Sequence, residues 1–303
     1  MLASNNIIGS YINGNYRVTI YSDGTKVREN DLDYFEPAFA ENCDVKITDR
    51  CDGGCPMCYE GCTPAGLHAD LLNAKFIDTL HPYTELAING NDLSHPQLVP
   101  FLEKLREKKV IANMTVNQIH FESHLETLHS WVDNKLIWGL GISLRNPTPH
   151  FIEQVKKFPN AVIHTINGIV TKQDLDALSG NNLKVLVLGY KPLNRGANYY
   201  EQHLPELLDN IAWLKANIGN YFGKFECVSF DNLALRQVNI RRFLSEKDWQ
   251  QFYMGDDGNF TFYIDMVKGT FAKNSVANQS ERYEIGNKTI DEMFQIIRSE
   301  NCG

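Results

Sequence analysis

The chain has 303 residues, 43% hydrophobic, 22% charged and 11% aromatic, with a formal net charge of −8, the composition of an ordinary globular protein with one large core or two modest ones. No basic run interrupts the acidic balance, which argues against a duplex nucleic acid partner, because affinity for the phosphate backbone is carried by clustered Lys and Arg. No apolar run reaches the length of a membrane span, about 18 residues, and the opening MLASNNIIGSYINGNY lacks the basic start and apolar core of a secretory signal.

Residues 16–29, YRVTIYSDGTKVRE, alternate β-formers around an Asp-Gly pair and predict a tight hairpin. From residue 44 the rhythm changes. DVKITDR predicts a strand and HADLLNAKFIDTLHPY a helix, with Leu72, Phe76 and Leu80 four apart on one face. TELAING is the next strand, and HPQLVPFLEKLREKK the next helix, its Leu98, Phe101, Leu102 and Leu105 in core-facing spacing. Strand VIANMTV, a helix from His120 and strand LIWGLGISL follow, then helix PHFIEQVKKF, strand AVIHTI, helix KQDLDALSG, strand LKVLVLGY and a long helix over 201–217. KFECVSF offers a seventh strand. Six strand–helix units with short apolar strands specify an α/β protein with a parallel sheet, either doubly wound or closed to a complete or partial barrel. Further on, GDDGNFTFYIDMVKG reads as a turn and β-run, and TIDEMFQIIRS as a helix opened by a Thr289–Glu292 capping box. Residues 1–43 and 232–303 read as additions flanking a barrel.

Residues 47–62, ITDRCDGGCPMCYEGC, hold four of the seven cysteines. The chain is expected to be cytoplasmic, where thiols stay reduced, so a disulfide framework is disfavoured. Cys51, Cys55 and Cys58, spaced C-x3-C-x2-C, fall in the loop after the first parallel strand, and such loops form the active face of barrels and open parallel sheets. Gly53, Gly54 and Pro56 let the backbone wrap a compact object. Three thiolates from one loop suit a cubane cluster with one iron left free of protein ligands. A zinc site completed by Cys43 or Cys62 and a single catalytic thiol are the alternatives.

VKITDRCDGGCPMCYEGC resembles the first strand and cluster loop of the radical S-adenosylmethionine (radical SAM) enzymes. AINGNDLSHPQL sits where that family has a strand ending in Gly-Gly-Glu-Pro, MTVN where its third strand ends in Thr-Asn-Gly, GISLR where its fourth carries a Ser on the SAM ribose, and GYKPLNRGA resembles the loop after its sixth strand. The resemblance covers roughly residues 44–230. It implies a partial (β/α)6 TIM-type barrel over 44–231, with an N-terminal β-hairpin extension (1–43) and a C-terminal α+β cap (232–303). It also implies a 4Fe-4S cluster on Cys51, Cys55 and Cys58, whose open iron is chelated by SAM. One electron, from a flavodoxin- or ferredoxin-like donor, would cleave SAM to a 5′-deoxyadenosyl radical that takes hydrogen from a substrate in an oxygen-sensitive enzyme.

The resemblance assigns cofactor contacts to Met57, Asn89, Gly90, Asn91, Asp92, Ser143, Arg145, Asn167 and Arg195. Two departures stand out. Asn91 occupies the place of the usual Glu, with Asp92 one position off; an amide oxygen accepts from the SAM amino group more weakly than a carboxylate. Met57 replaces the usual aromatic residue before the last cluster cysteine. DDGNFTFYIDMVKGT…RYEIGNKTIDEMFQII looks like the SPASM or twitch extension, here without cysteines between Cys227 and Cys302. That leans toward a peptide or amino-acid-derived substrate, the hairpin edge at 16–29 or 260–267 pairing with an extended strand; a nucleoside or nucleotide is the alternative within the family. Outside it stands a non-catalytic iron–sulfur or zinc protein with a structural or sensing role. Cys227, on the seventh strand, is expected to be either a hydrogen-atom donor or a buried core thiol. His120 and His124, at i, i+4, are expected on a solvated helix face.

Overall fold

The structure, a computed structural model, describes residues 6–301; Cys302 lies outside the described residues. Strands β1 (Ile7–Asn13), β2 (Tyr16–Tyr21) and β3 (Lys26–Glu29) form an antiparallel sheet in that order. The expected hairpin is β2–β3, closed by Tyr21 N–H on the Thr25 carbonyl at 2.9 Å, with Gly24 at φ +89°.

Among the described residues the main sheet has ten strands. Seven lie side by side in chain order, all parallel: β4 (Asn42–Lys46), β5 (Glu85–Asn91), β6 (Ile111–Asn117), β7 (Gly139–Ser143), β8 (Ala161–Ile166), β9 (Lys184–Leu188) and β10 (Cys227–Phe230). On the other side of β4, β11 (Thr261–Asp265) adds in parallel, and β12 (Thr270–Ala272) and β13 (Tyr283–Glu284) extend the sheet antiparallel. The seventh strand expected from KFECVSF is thus present as β10.

Sequential parallel strands need crossovers of one hand, which places their helices on one face of the sheet. These are α1 (Leu98–Glu107), α2 (Gln118–Ser123), α3 (Leu125–Asp133), α4 (Pro149–Val155), α5 (Lys172–Leu178), α6 (Arg195–Gln202) and α7 (Leu204–Asn217); after β10 come α8 (Asn232–Val238), α9 (Glu246–Phe252) and α10 (Ile290–Asn301). Alternation along each strand buries Cys43, Val45, Leu86, Ile88, Met114, Ile142, Ile163, Val185 and Val187 in one apolar core. The opposite face carries Asp44, Asn113, Thr115, His164 and Lys184 and is polar.

The structure corrects four expectations. Residues 68–83 form no α-helix, only a 3-10 turn at Lys75–Thr79. Asp70 accepts from the N–H groups of Leu72 and Asn73, a local turn that competes with helix initiation. The C-terminal helix packs there instead: Ile290 N–H donates to Thr79 Oγ1 at 2.9 Å, and Met293, Phe294 and Ile297 are fully buried. The capping box opening that helix is present, Thr289 N–H on Glu292 Oε2 at 2.8 Å and Glu292 N–H on Thr289 Oγ1 at 3.2 Å. Secondly, the long helix over 201–217 is two helices that break at His203, and the helix from His120 begins at Gln118 and breaks at His124. Thirdly, β11 is hydrogen-bonded on both sides and leaves no free edge at 260–267, whereas in the hairpin at 16–29 β2 is paired on both sides and β3 is the edge strand of its sheet.

The fourth correction is Cys227. It is exposed, not in the core, and is the first residue of β10, at the end of the strand remote from the loops that follow the strands. That sets it at the opposite end of the sheet from the cysteine loop.

The N-terminal sheet seals the end where the parallel strands begin. Tyr16, Val18 and Ile20 pack on Ile111, Trp138 and Phe260. Fully buried Glu41 accepts from Tyr16 Oη at 2.6 Å and Arg28 Nε at 2.8 Å and faces Lys26 Nζ at 3.4 Å. At the other flank, Asp257 links residues far apart in strand order. It accepts from Asn232, at the start of α8, at 2.7 Å and from Asn274, after β12, at 2.9 Å.

Candidate active site

The cysteine loop leaves the carboxyl end of β4 and is held from its first residue. Asn89 accepts from Ile47 N–H at 2.7 Å and donates to the Thr48 carbonyl at 3.2 Å. Lys46, buried at the strand end, reaches Asp49 and Glu60, both at 2.6 Å, and so ties the base of the loop to its far side. A short backbone ladder closes the loop: Thr63 N–H on the Asp49 carbonyl and Cys51 N–H on the Thr63 carbonyl, both at 3.0 Å. Gly54 at φ +62° and Gly61 at φ +71° make turns that favour glycine.

Cys51, Cys55 and Cys58 are all free thiols and half-buried. Each sulfur meets a donor. Gly53 N–H points at Cys51 Sγ at 3.4 Å, and Asn117 Nδ2 at Cys55 Sγ at 3.1 Å. The Cys62 thiol hydrogen-bonds Cys58 and holds it well below the usual thiol range, helped by its own backbone N–H and by the Arg195 charge; burial opposes this. Cys62 is pushed up in turn, by that same bond and by burial, and stays a protonated donor. Burial raises the Cys51 thiol. Among the described residues no three His, Cys, Asp or Glu side chains converge on a point for a single metal ion. Three soft sulfur ligands with hydrogen-bonded acceptor positions fit an iron–sulfur cluster, which is larger than one ion.

The side chains assigned to cofactor contact are brought to this loop, and several are spent on its backbone. Asn91 donates to the carbonyl of Arg50 at 3.0 Å and to that of Thr48 at 3.4 Å from a left-handed conformation (φ +50°). Arg145 Nη1 donates to the Gly53 carbonyl at 2.8 Å. Arg195 holds two carbonyls, Cys55 through Nε at 3.2 Å and Cys62 through Nη1 at 2.7 Å. Gly90 lies under this layer, where a Cβ would stand 2.4 Å from Met114 Sδ. Asp92 is buried, accepts from Ser94 N–H at 3.1 Å and faces Arg50 Nε at 3.7 Å. Ser143 ends β7, level with Asn117.

Asn167 is fully buried; its amide donates to Gln237 Oε1 at 2.9 Å, and its own oxygen has no partner among the described residues. Met57 and Tyr59, which flank Cys58 in the cysteine loop, line a largely apolar cleft with Ile166, Leu188, Gly189, Tyr190 and Lys191 from the ends of β8 and β9. Lys191 stands 4.3 Å above the Tyr59 ring and donates to Ser275 Oγ at 3.1 Å, so residues after β12 reach the rim of the cleft.

Three site residues escaped sequence reasoning. His120 is not solvated: it is buried, and its Nε2 lies 2.5 Å from Asp52 Oδ1 in the cysteine loop. Asn117 lies within the quoted MTVN, yet nothing in the spacing marked its amide as a neighbour of Cys55. Asn194 holds the Tyr59 carbonyl at 2.7 Å. All three reach the loop from other strand ends, and no local pattern announces that.

No family model matches the chain, and no curated protein matches it. Among solved structures, the crystal structure of Streptococcus suis SuiB bound to S-adenosylmethionine is similar, at 14% sequence identity and a TM-score of 0.56, over 87% of this chain and 69% of that one. That likeness is one of fold.

Proposed function

We propose that the chain is a radical SAM enzyme in which Cys51, Cys55 and Cys58 hold a 4Fe-4S cluster and the adjoining cleft takes the adenosyl part of SAM. One observation carries this reading: three half-buried thiols on a single loop at the carboxyl end of a parallel strand, each beside a hydrogen-bond donor, on a loop whose Met57 and Tyr59 line an apolar cleft. The SAM bound in the structurally similar SuiB supports the ligand class. When bound, the two groups would supply reductive cleavage of SAM to a 5′-deoxyadenosyl radical that removes hydrogen from a substrate.

The chain's own residues orient and enclose. The sheet is read as a partial barrel, its polar face inward; the Asn232–Asp257–Asn274 link fits a sheet curved until its flanks meet. The N-terminal sheet plugs one end with the Glu41 network, which keeps bulk water from entering there. Residues after β11 form a cluster-free cap of the SPASM or twitch kind. The substrate is proposed to be a peptide or an amino-acid-derived molecule, and the electron donor a flavodoxin- or ferredoxin-like protein.

A non-catalytic cluster is the reading that Asn91 favours, because its amide nitrogen is committed to the carbonyls of Thr48 and Arg50 where a SAM-binding carboxylate is usual. One assay separates the two. The protein is reconstituted anaerobically with iron and sulfide, given dithionite and SAM, and 5′-deoxyadenosine is measured beside a Cys55→Ala control. Product in the parent alone supports the enzyme. A full cluster that yields none, with candidate substrates present, favours the structural or sensing role; no cluster overturns both.

A further inference from the structure

We propose that Asn117 sets the reduction potential of the cluster by donating a hydrogen bond to the Cys55 sulfur, a positioning and tuning role that rests on the cluster assignment above. The side chain is nearly buried, at 8% exposure, at the last residue of β6. Its orientation is determined by chemistry. Oδ1 accepts from Ile119 N–H at 3.2 Å as the N-cap of α2, which needs an acceptor, so the amide NH2 must face the other way. There it meets Cys55 Sγ at 3.1 Å.

The neighbourhood leaves the amide little choice. Gly53 packs alongside: a Cβ on it would stand in ordinary contact with Asn117 Nδ2, at 3.5 Å, and more tightly against Cys51 Sγ, at 3.3 Å. Arg145 on the Gly53 carbonyl and His120 on Asp52 clamp the same stretch of loop. The amide is therefore held against the sulfur by a helix cap on one side and a fixed loop on the other.

A hydrogen bond to a ligand sulfur draws charge from it, and the reduced cluster, with one more electron, gains more from this than the oxidised one. Removing the donor makes the one-electron reduction harder. The acceptor role must survive the test. Asn117→Ser keeps an N-cap oxygen but is too short to reach Cys55, while Asn117→Asp keeps the cap and puts an acceptor where the donor was.

The experiment is a dithionite titration with mediators, followed by electron paramagnetic resonance, on reconstituted parent, Asn117→Ser and Asn117→Asp proteins, with iron content and visible absorption recorded first. The expected result is full iron loading and a lower potential in both variants, lowest in Asn117→Asp. A tenfold fall in the reduced-to-oxidised ratio at the parent midpoint is about 59 mV for one electron. A parent-like potential in both loaded variants overturns the inference. Loss of the cluster from both overturns it too, and makes Asn117 a structural anchor. Failure of the parent itself to load iron overturns the cluster assignment instead.

Discussion

Arg195 holds the carbonyl of Cys62 at 2.7 Å, a contact between residues 133 apart in sequence. With its Nε on the Cys55 carbonyl, one guanidinium spans the second half of the cysteine loop. A planar fork can grip two carbonyls at once; an ammonium cannot.

Arg195→Ala is therefore expected to cost about 2–3 kcal/mol, the scale of charge-assisted hydrogen bonds lost to a fixed partner, and to free the loop. Alkylation of Cys55 and Cys58 by iodoacetamide in the cluster-free protein would accelerate. Arg195→Lys should rescue little of this. Unchanged alkylation rates would mean that the ladder through Thr63 suffices by itself.

Gly66 tests that ladder. A Cβ there would lie 2.1 Å from the Asp49 carbonyl oxygen and 2.5 Å from Arg50 N, both backbone atoms that no side-chain rotation can move. Gly66→Ala is expected to destabilise by about 3 kcal/mol and to reduce iron loading after reconstitution. A stable variant with full iron would show that the loop re-routes without harm.

Glu41 is the buried carboxylate between Lys26, Arg28 and Tyr16. Glu41→Ala leaves two nearly buried cations without their shared partner, and breaking such a pair costs about 3–5 kcal/mol. Urea unfolding is the measurement, with Glu41→Gln, which keeps an acceptor for Tyr16, expected to fall between. An Ala variant as stable as the parent would remove the argument that this network seals the sheet.

The polar face carries two groups whose acid responses oppose each other. Burial pushes the His164 imidazole down from 6.5 to about 4. The unfolded chain therefore takes up that proton first, and stability is lost as pH falls from 6.5 through 4. Asp44, open to water from the polar face yet ringed by protein, is pushed up from 3.8 to about 6 by burial, with Lys191 opposing and Asp257 and Asp231 adding. Here the folded state keeps the proton, and stability is lost as pH rises from 3.8 through 6. Between pH 4 and 6 the two slopes oppose. Asp44→Asn should steepen the acid loss of stability, and His164→Asn should weaken or reverse it. Thermal unfolding at several pH values reads both, and parallel profiles for the three proteins would refute the assignment.

Much of the fold was legible because its signals are local. The Asp-Gly pair between Tyr21 and Lys26 specifies a hairpin wherever it stands, and the β2–β3 turn obeys it. The capping box of Thr289 and Glu292 opens α10 as spacing dictates. Apolar runs such as KVLVL mark strands buried beneath helices, and their alternation with helices requires a parallel sheet. Residues 68–83 show the limit. Their period suits a helix, but the Asp70 turn and the packing of Met293, Phe294 and Ile297 at the same place decide otherwise, and α10 begins more than 200 residues later.

The same division runs through the site. The sequence alone determined that three thiols share one loop at the carboxyl end of the first parallel strand, because four cysteines in sixteen residues, broken by glycines, cannot be far apart. Only the tertiary structure decided what surrounds them: Asn117 on Cys55, Cys62 on Cys58, Arg145 and Arg195 on loop carbonyls, His120 on Asp52. Hydrogen-bond partners are chosen by distance and angle, and parallel strands bring residues at successive strand ends together whatever their separation along the chain.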